Sequence, residues 1–240
     1  MLRIAIIGYG KMGHEIETIA LERGHSVVLK IDKDNPSDLS PLNLSKVDVA
    51  VEFTSPHTAK QNVEACLDAG IPVVCGTTGW NNEVAKVIDR VRINGGTFFY
   101  ASNFSVGMNV FFKLNAMVSR YLAKVGGYSV DIKEIHHTQK LDAPSGTAIS
   151  LANLIANENS DYNGWTLLPE QVQGKIPIEA VREGVVPGTH TVKFDSEHDQ
   201  IVLSHIAKSR RGLALGAILA AEFIVGKKGF YSMDDILNFE

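Results

Sequence analysis

The stretch from Leu2 to Gly13, LRIAIIGYGKMG, constrains the fold of this chain more than any other. A short apolar run reads as a buried strand. It leads directly into Gly8, Gly10 and Gly13 at G-x-G-x-x-G spacing, and a helix-like segment, HEIETIALERG, follows and stops at Gly24. Each glycine has a physical task. Gly8 permits the tight turn, Gly10 lets a pyrophosphate approach the backbone, and Gly13 lets helix and strand pack closely. A bare glycine spacing is common, but between a strand and a helix it marks the first unit of a Rossmann-type nucleotide-binding domain. Gly8, Tyr9, Gly10, Lys11, Met12 and Gly13 are therefore candidate cofactor contacts.

The next strand, HSVVLKID, ends at Asp32, nineteen residues after Gly13, where an acidic side chain holds the adenosine ribose hydroxyls. That favours NADH. Lys33 follows immediately and would suit the extra phosphate of NADPH, so the choice of cofactor stays open, and Asp32 also reads as a turn residue before DNPSD. VDVAVEFTSP and IPVVCGTTGW read as further strands. Ligands of such folds lie beyond the carboxyl ends of the strands, which marks Phe53 to His57 and Gly76 to Gly79.

Composition excludes several classes. The 240 residues are 45% hydrophobic and 21% charged with a mean hydropathy of +0.02, values of an ordinary globular protein long enough for two small domains. A net charge of −4 gives no basic footprint for nucleic acid, and Lys208, Arg210 and Arg211 form too short a cluster to change that. The N-terminal apolar run is too short for a signal peptide or membrane span, so a cytoplasmic protein is expected. Cys66 and Cys75 lack the close cysteine and histidine pairs of a zinc site, and no metal is expected; Cys75 reads as core.

The densest chemistry lies from Glu134 to Ser150, EIHHTQKLDAPSGTAIS. Upstream, Tyr128 to His137 alternates as a strand, which points His136 and His137 to opposite faces. Asp142, Pro144 and Ser145 are helix-start residues before TAISLANLIAN. The N–H groups of Ser145, Gly146 and Thr147 would then face outward at a helix N-terminus that favours an anion, with Lys140 nearby. Taken singly, these features are also ordinary capping and a structural histidine. Together, HH-x-x-K followed by DAPSGTA resembles the active-site segment of the dihydrodipicolinate reductases.

The resemblance covers nearly the whole chain, although this sequence is short between Lys33 and Val47 and between Asn157 and Ile176. It implies reduction of 4-hydroxy-tetrahydrodipicolinate, or of the dihydrodipicolinate formed by water loss, to tetrahydrodipicolinate with NADH or NADPH in the diaminopimelate route to lysine. His136 would be the general acid. Lys140 would stabilise developing charge and hold the substrate, with His137, Ser145, Gly146 and Thr147 binding its carboxylates. GTTGW and YASNFSVGMN resemble the family's nicotinamide-side segments, which adds Gly76, Thr77, Thr78, Ala101, Ser102, Asn103 and Phe104 as cofactor contacts; Asn103 also reads as a hinge or cap. His190, Arg182 and His205 could also approach the site, but each reads better as structural.

From Phe104 onward the pattern changes. IPIEAVREG, GTHTVKFDSEH and DQIVLSHIAKS read as an antiparallel set, which suits an α+β domain with helices on one face. In the family the C-terminal segment returns to the nucleotide domain. The expected organisation is a Rossmann-type domain of residues 1–104 and 212–240, with a substrate-binding and oligomerisation domain inserted at 105–211, a hinge between them and assembly as a homotetramer. Two other classes remain open: a related two-domain dehydrogenase, and a nucleotide-binding sensor without turnover.

Overall fold

The computed structural model describes residues 1–238 and divides into two compact units: Met1–Val106 together with the chain from Arg210, and Gly107–Ser209. The first unit opens with β1 (Arg3–Ile7), α1 (Lys11–Glu22), β2 (Ser26–Ile31), a short α2 (Pro41–Leu44), β3 (Val49–Glu52), α3 (Ala59–Asp68), β4 (Val73–Cys75), α4 (Asn81–Asn94) and β5 (Thr97–Tyr100). All its strand pairs are parallel. This explains the unbroken apolar run of β1. Ile4 and Ile6 bury against α1, whereas Ala5 and Ile7 bury on the other face with Val63 of α3 and Val87 of α4.

The second unit begins in α5 (Val106–Val125) and continues with β6 (Ser129–His136), α6 (Gly146–Glu158), β7 (Trp165–Leu167), β8 (Ile176–Arg182), β9 (Thr189–Asp195) and β10 (Gln200–Ile206). The sheet order is β10-β9-β6-β8-β7. This corrects the expected antiparallel set. β9 and β10 pair antiparallel, but β8 lies parallel to β6, which stands between it and β9, and β7 is a further parallel strand. The physical reason is the connection: the route from β6 to β8 passes through α6, and a helical crossover returns the chain parallel. One face of this sheet packs on α5 and α6, burying Val130, Ile132, Ile178, Val192 and Phe194 against Phe111, Leu151 and Ile155.

That inner face changes character along β6. After Val130 and Ile132 the next inward residues are Glu134 and His136, both buried. Register places Glu134 opposite His190 and His190 opposite His205, one residue from each of three adjacent strands, and sets His136 beside Arg182.

The chain then completes the first unit with α7 (Arg211–Ile224), β11 (Gly229–Tyr231) and α8 (Met233–Leu237). α7 joins the Ile4 and Ile6 core, and β11 pairs parallel with β5, giving the order β11-β5-β4-β3-β1-β2. The apolar side of α7 rests directly on the chain at Phe104: a Cβ on Gly216 would lie 1.7 Å from the Phe104 carbonyl oxygen.

Candidate active site

In the first unit the carboxyl ends of β1, β2 and β3 surround a cavity of about 400 Å³, whose lining includes Gly8, Gly10, Asp32, Lys33, Thr54 and Asn62. Gly8 has φ +95°, and a Cβ there would stand 2.0 Å from the Phe53 carbonyl oxygen, so no other residue fits this turn. Beside Gly10 the space is open, and buried Gly13 brings α1 close to the turn, its Cβ position 2.5 Å from the Gly8 oxygen. Asp32 and Lys33 are exposed at the mouth. The Asp32 N–H donates to Asn35 Oδ1 at 2.8 Å, and Asp32 Oδ1 accepts the Lys33 N–H at 2.9 Å, so the loop presents a defined carboxylate. A glycine turn that a Cβ would fill and an acid on the neighbouring strand end fit a dinucleotide.

The other nucleotide-side candidates lie outside that lining. Tyr9 hydrogen-bonds Glu17 and stands 3.1 Å from Lys30 Nζ, Lys11 is exposed, and Met12 packs against the core. Thr77 is buried and accepts the Thr54 N–H through its hydroxyl at 2.8 Å, while Gly76 lies against the Phe53 ring and Thr78 is exposed. Ala101 packs against the core, Ser102 is exposed, and Asn103 Oδ1 accepts the Ser105 N–H at 2.9 Å. The Phe104 side chain is buried against Phe53 and Phe99. Sequence reading missed Glu52, a fully buried carboxylate that holds Thr54, Asn62 and the Cys75 thiol at the end of β3. Burial, then the Glu52 charge, push that thiol well above its ordinary pKa, which leaves Cys75 an inert donor.

In the second unit Glu134 is the hub, and it too was missed. Its carboxylate is fully buried. Oε1 accepts the Ser145 N–H at 3.0 Å and the Arg182 guanidinium at 3.0 Å. Oε2 faces His136 Nδ1 at 3.3 Å, off the hydrogen-bond line, and His190 Nε2 at 3.7 Å. Leaving a buried carboxylate unpaired costs several kcal/mol. Here burial pushes the Glu134 pKa upward most strongly, yet the contacts from His136, Ser145 and Arg182 together outweigh it and hold the group at about 2. His190 moves the other way: burial first, then the nearby His136, lower it to about 4, so it is neutral near pH 7. Ligand atoms of Glu134, His136 and His190 lie within 4.8 Å of one another, a spacing that suits a metal, but Arg182 already provides the carboxylate with a counter-charge.

The loop after β6 is strapped to the same hub. Arg182 donates to the carbonyl oxygens of Lys140 at 3.3 Å and of Asp142 at 2.5 Å. Lys140 Nζ lies 2.9 Å from both Asp142 oxygens, so its cation is paired within the loop. At the start of α6 the Ser145 hydroxyl caps the Ala148 N–H, and its own N–H points inward to Glu134. The expected outward trio of donors therefore reduces to Gly146 and Thr147, which make no backbone bond to any described residue. His137 lies half-buried beyond the strand end, its N–H bonded to Val186.

Two family models divide this chain between them: "Dihydrodipicolinate reductase, N-terminus" matches residues 2–104 and "Dihydrodipicolinate reductase, C-terminus" matches residues 107–237. A 4-hydroxy-tetrahydrodipicolinate reductase of Christiangramia forsetii is 48% identical over 237 residues, 99% of this chain and 98% of the relative. The chain belongs to the dihydrodipicolinate reductase family. It is an oxidoreductase that uses NAD(P)H. A second relative of the same name, from Methanosarcina mazei, is 36% identical over 99% of this chain and 90% of its own. Among solved structures, a dipicolinate-bound dihydrodipicolinate reductase from Paenisporosarcina shares the fold at a TM-score of 0.78 with 24% identity, each chain covered in full. A probable dehydrogenase from Thermotoga maritima matches at a TM-score of 0.59 and 13% identity, covering 98% of this chain and 92% of its own. No described helix is long and apolar enough to cross a membrane.

Proposed function

We propose that the chain reduces 4-hydroxy-tetrahydrodipicolinate, or the dihydrodipicolinate formed from it, to tetrahydrodipicolinate in the diaminopimelate route to lysine, with His136 and Lys140 as its catalytic residues. The observation that carries this is that the end of β6 and the segment after it hold a buried histidine beside an ionised carboxylate, a lysine paired only with its loop neighbour Asp142, and two helix-start N–H groups with no backbone partner. The bound nicotinamide supplies a hydride. Hydride addition to a conjugated bond leaves electron density that needs a proton, and His136 is placed to give one. Gly146 and Thr147 donate to one ring carboxylate at the positive end of α6, held in place by Ser145. Lys140 exchanges Asp142 for the substrate and offsets charge as it develops, and His137 adds a contact.

On the nucleotide side, Gly8 to Gly13 cradle the pyrophosphate and Asp32 holds the ribose. Asp32 at the cavity mouth favours NADH, and Lys33 beside it lets NADPH be accepted. Gly76 to Thr78 and Ala101 to Phe104 serve the nicotinamide side through exposed side chains and backbone. The outer face of the second sheet, where β10 exposes Val202 and Ile206, supports assembly as a cytoplasmic homotetramer. The partners are a small dicarboxylate and further copies of the chain, without nucleic acid or membrane.

The test generates substrate in place from pyruvate and aspartate semialdehyde with the preceding synthase and follows reduced-cofactor absorbance with NADH and NADPH in parallel. Substrate-dependent oxidation, faster with NADH, is expected. No oxidation with either cofactor, in folded and cofactor-bound protein, would overturn the reading in favour of another dehydrogenase or a sensor.

A further inference from the structure

Glu134 is the one buried carboxylate of the second unit's polar cluster, and its two oxygens do different things. Oε1 is saturated by Ser145 N–H and Arg182. Oε2 has no aligned hydrogen-bond partner, and neither does His136 Nδ1, yet the two atoms are 3.3 Å apart and both are buried. On its other side His136 faces Gly188, the residue just before β9: a Cβ there would lie 3.0 Å from Nε2 and 3.2 Å from Cδ2. Nδ1 is therefore turned toward the carboxylate, and Nε2 lies where Gly188 leaves room.

Resting on the reading of His136 as general acid, we propose that Glu134 is a positioning residue, holding His136 by Nδ1 so that Nε2, in the space left by Gly188, is the atom that delivers the proton. In that step the Nε2–H bond breaks as a carbon–hydrogen bond forms on the substrate. The ring is left neutral with its remaining proton on Nδ1, facing Glu134, and a proton from solvent restores Nε2. Glu134 itself neither gains nor loses a proton. Its ionised state is held by His136, Ser145 and Arg182 together, so it can orient the ring while remaining a carboxylate. Arg182 from β8, His190 from β9, His205 from β10, and Lys140 with Asp142 on the loop are the other charged or titratable groups around this pair. Burial keeps His190 neutral, which leaves Glu134 the anion that His136 meets.

Glu134→Gln tests this, since the amide keeps an oxygen for Ser145 and Arg182 but removes the charge at His136. Expected is a fall in kcat of about 30-fold, with KM for substrate and Kd for NADH within about threefold. Gly188→Ala, which leaves the charge and crowds Nε2, should also lower kcat. Folding of both variants is checked by circular dichroism and NADH binding. Unchanged kcat in Glu134→Gln would overturn the proposal, as would a rise in KM matching the fall in kcat, which would make Glu134 a loop support only. Wild-type and His136→Gln proteins are assayed alongside. An inactive wild type, or an unimpaired His136→Gln, defeats the functional reading itself rather than the role of Glu134.

Discussion

Each unit carries a fully buried glutamate at or near a strand's carboxyl end, Glu52 as the last residue of β3 and Glu134 two residues before the end of β6, and the two are surrounded differently. Glu52 meets neutral groups: the Thr54 hydroxyl, the Asn62 amide and the Cys75 thiol. Glu134 meets Arg182, two histidines and a helix-start N–H. The first carboxylate ties loops together so that backbone and glycines can face a ligand. The second gathers charged and proton-bearing side chains. One fold element, a strand end beside a helix start, thus holds a carboxylate among neutral groups in the first unit and among charged ones in the second.

The sharpest way to break this contrast is to remove a proton-handling side chain. Lys140→Ala or His136→Gln should lower kcat by about 100-fold or more, with cofactor affinity retained, in steady-state assays paired with fluorescence titration of NADH. Activity near that of the unaltered protein in both would erase the distinction. Shape is tested next. Gly8→Ala should weaken NADH binding by about 30-fold, because its Cβ collides with the Phe53 carbonyl at a positive φ, and it should also lower the melting temperature.

The comparison is sharpened by smaller changes. Asp32→Ala should shift the ratio of NADH to NADPH efficiency by roughly tenfold toward NADPH; an unchanged ratio would show that Asp32 does not hold the ribose. Acid should act on the second unit through its cluster. His190 titrates near 4 when folded and at about 6.5 when unfolded, so its contribution is full above about 6.5 and is lost as pH falls toward 4. Glu134, held at about 2, contributes fully above about 4.5 and loses that as pH falls toward 2. Melting temperature should therefore drop by several degrees between pH 6.5 and 4, and His190→Asn should flatten that slope. An equal slope in the variant would assign the acid sensitivity elsewhere.

What the amino-acid sequence revealed follows the same division. Parallel strands, glycine turn and Asp32 were legible because each depends on local spacing: Gly8, Gly10 and Gly13 are neighbours in the chain, and Asp32 follows at a fixed interval. His136, Lys140 and the α6 start were legible because they too are contiguous. Glu134 stood two residues from His136 and was passed over, since nothing local says that Arg182 and His190, 48 and 56 residues later, will lie beside it. Its signal was the alternation itself, which places Glu134 on the buried face with Ile132. The mixed order of the second sheet was illegible for a related reason: strand pattern gives each strand's faces but not its neighbours.

The most direct test of the division of labour is calorimetric. NADH is titrated into the His136→Gln/Lys140→Ala double variant, and dipicolinate is then titrated into the NADH-bound form, with the unaltered protein as reference. The account predicts NADH affinity within about threefold of the reference and dipicolinate affinity at least tenfold weaker. Joint loss of both affinities in folded protein, or dipicolinate binding as tight as in the reference, would contradict it.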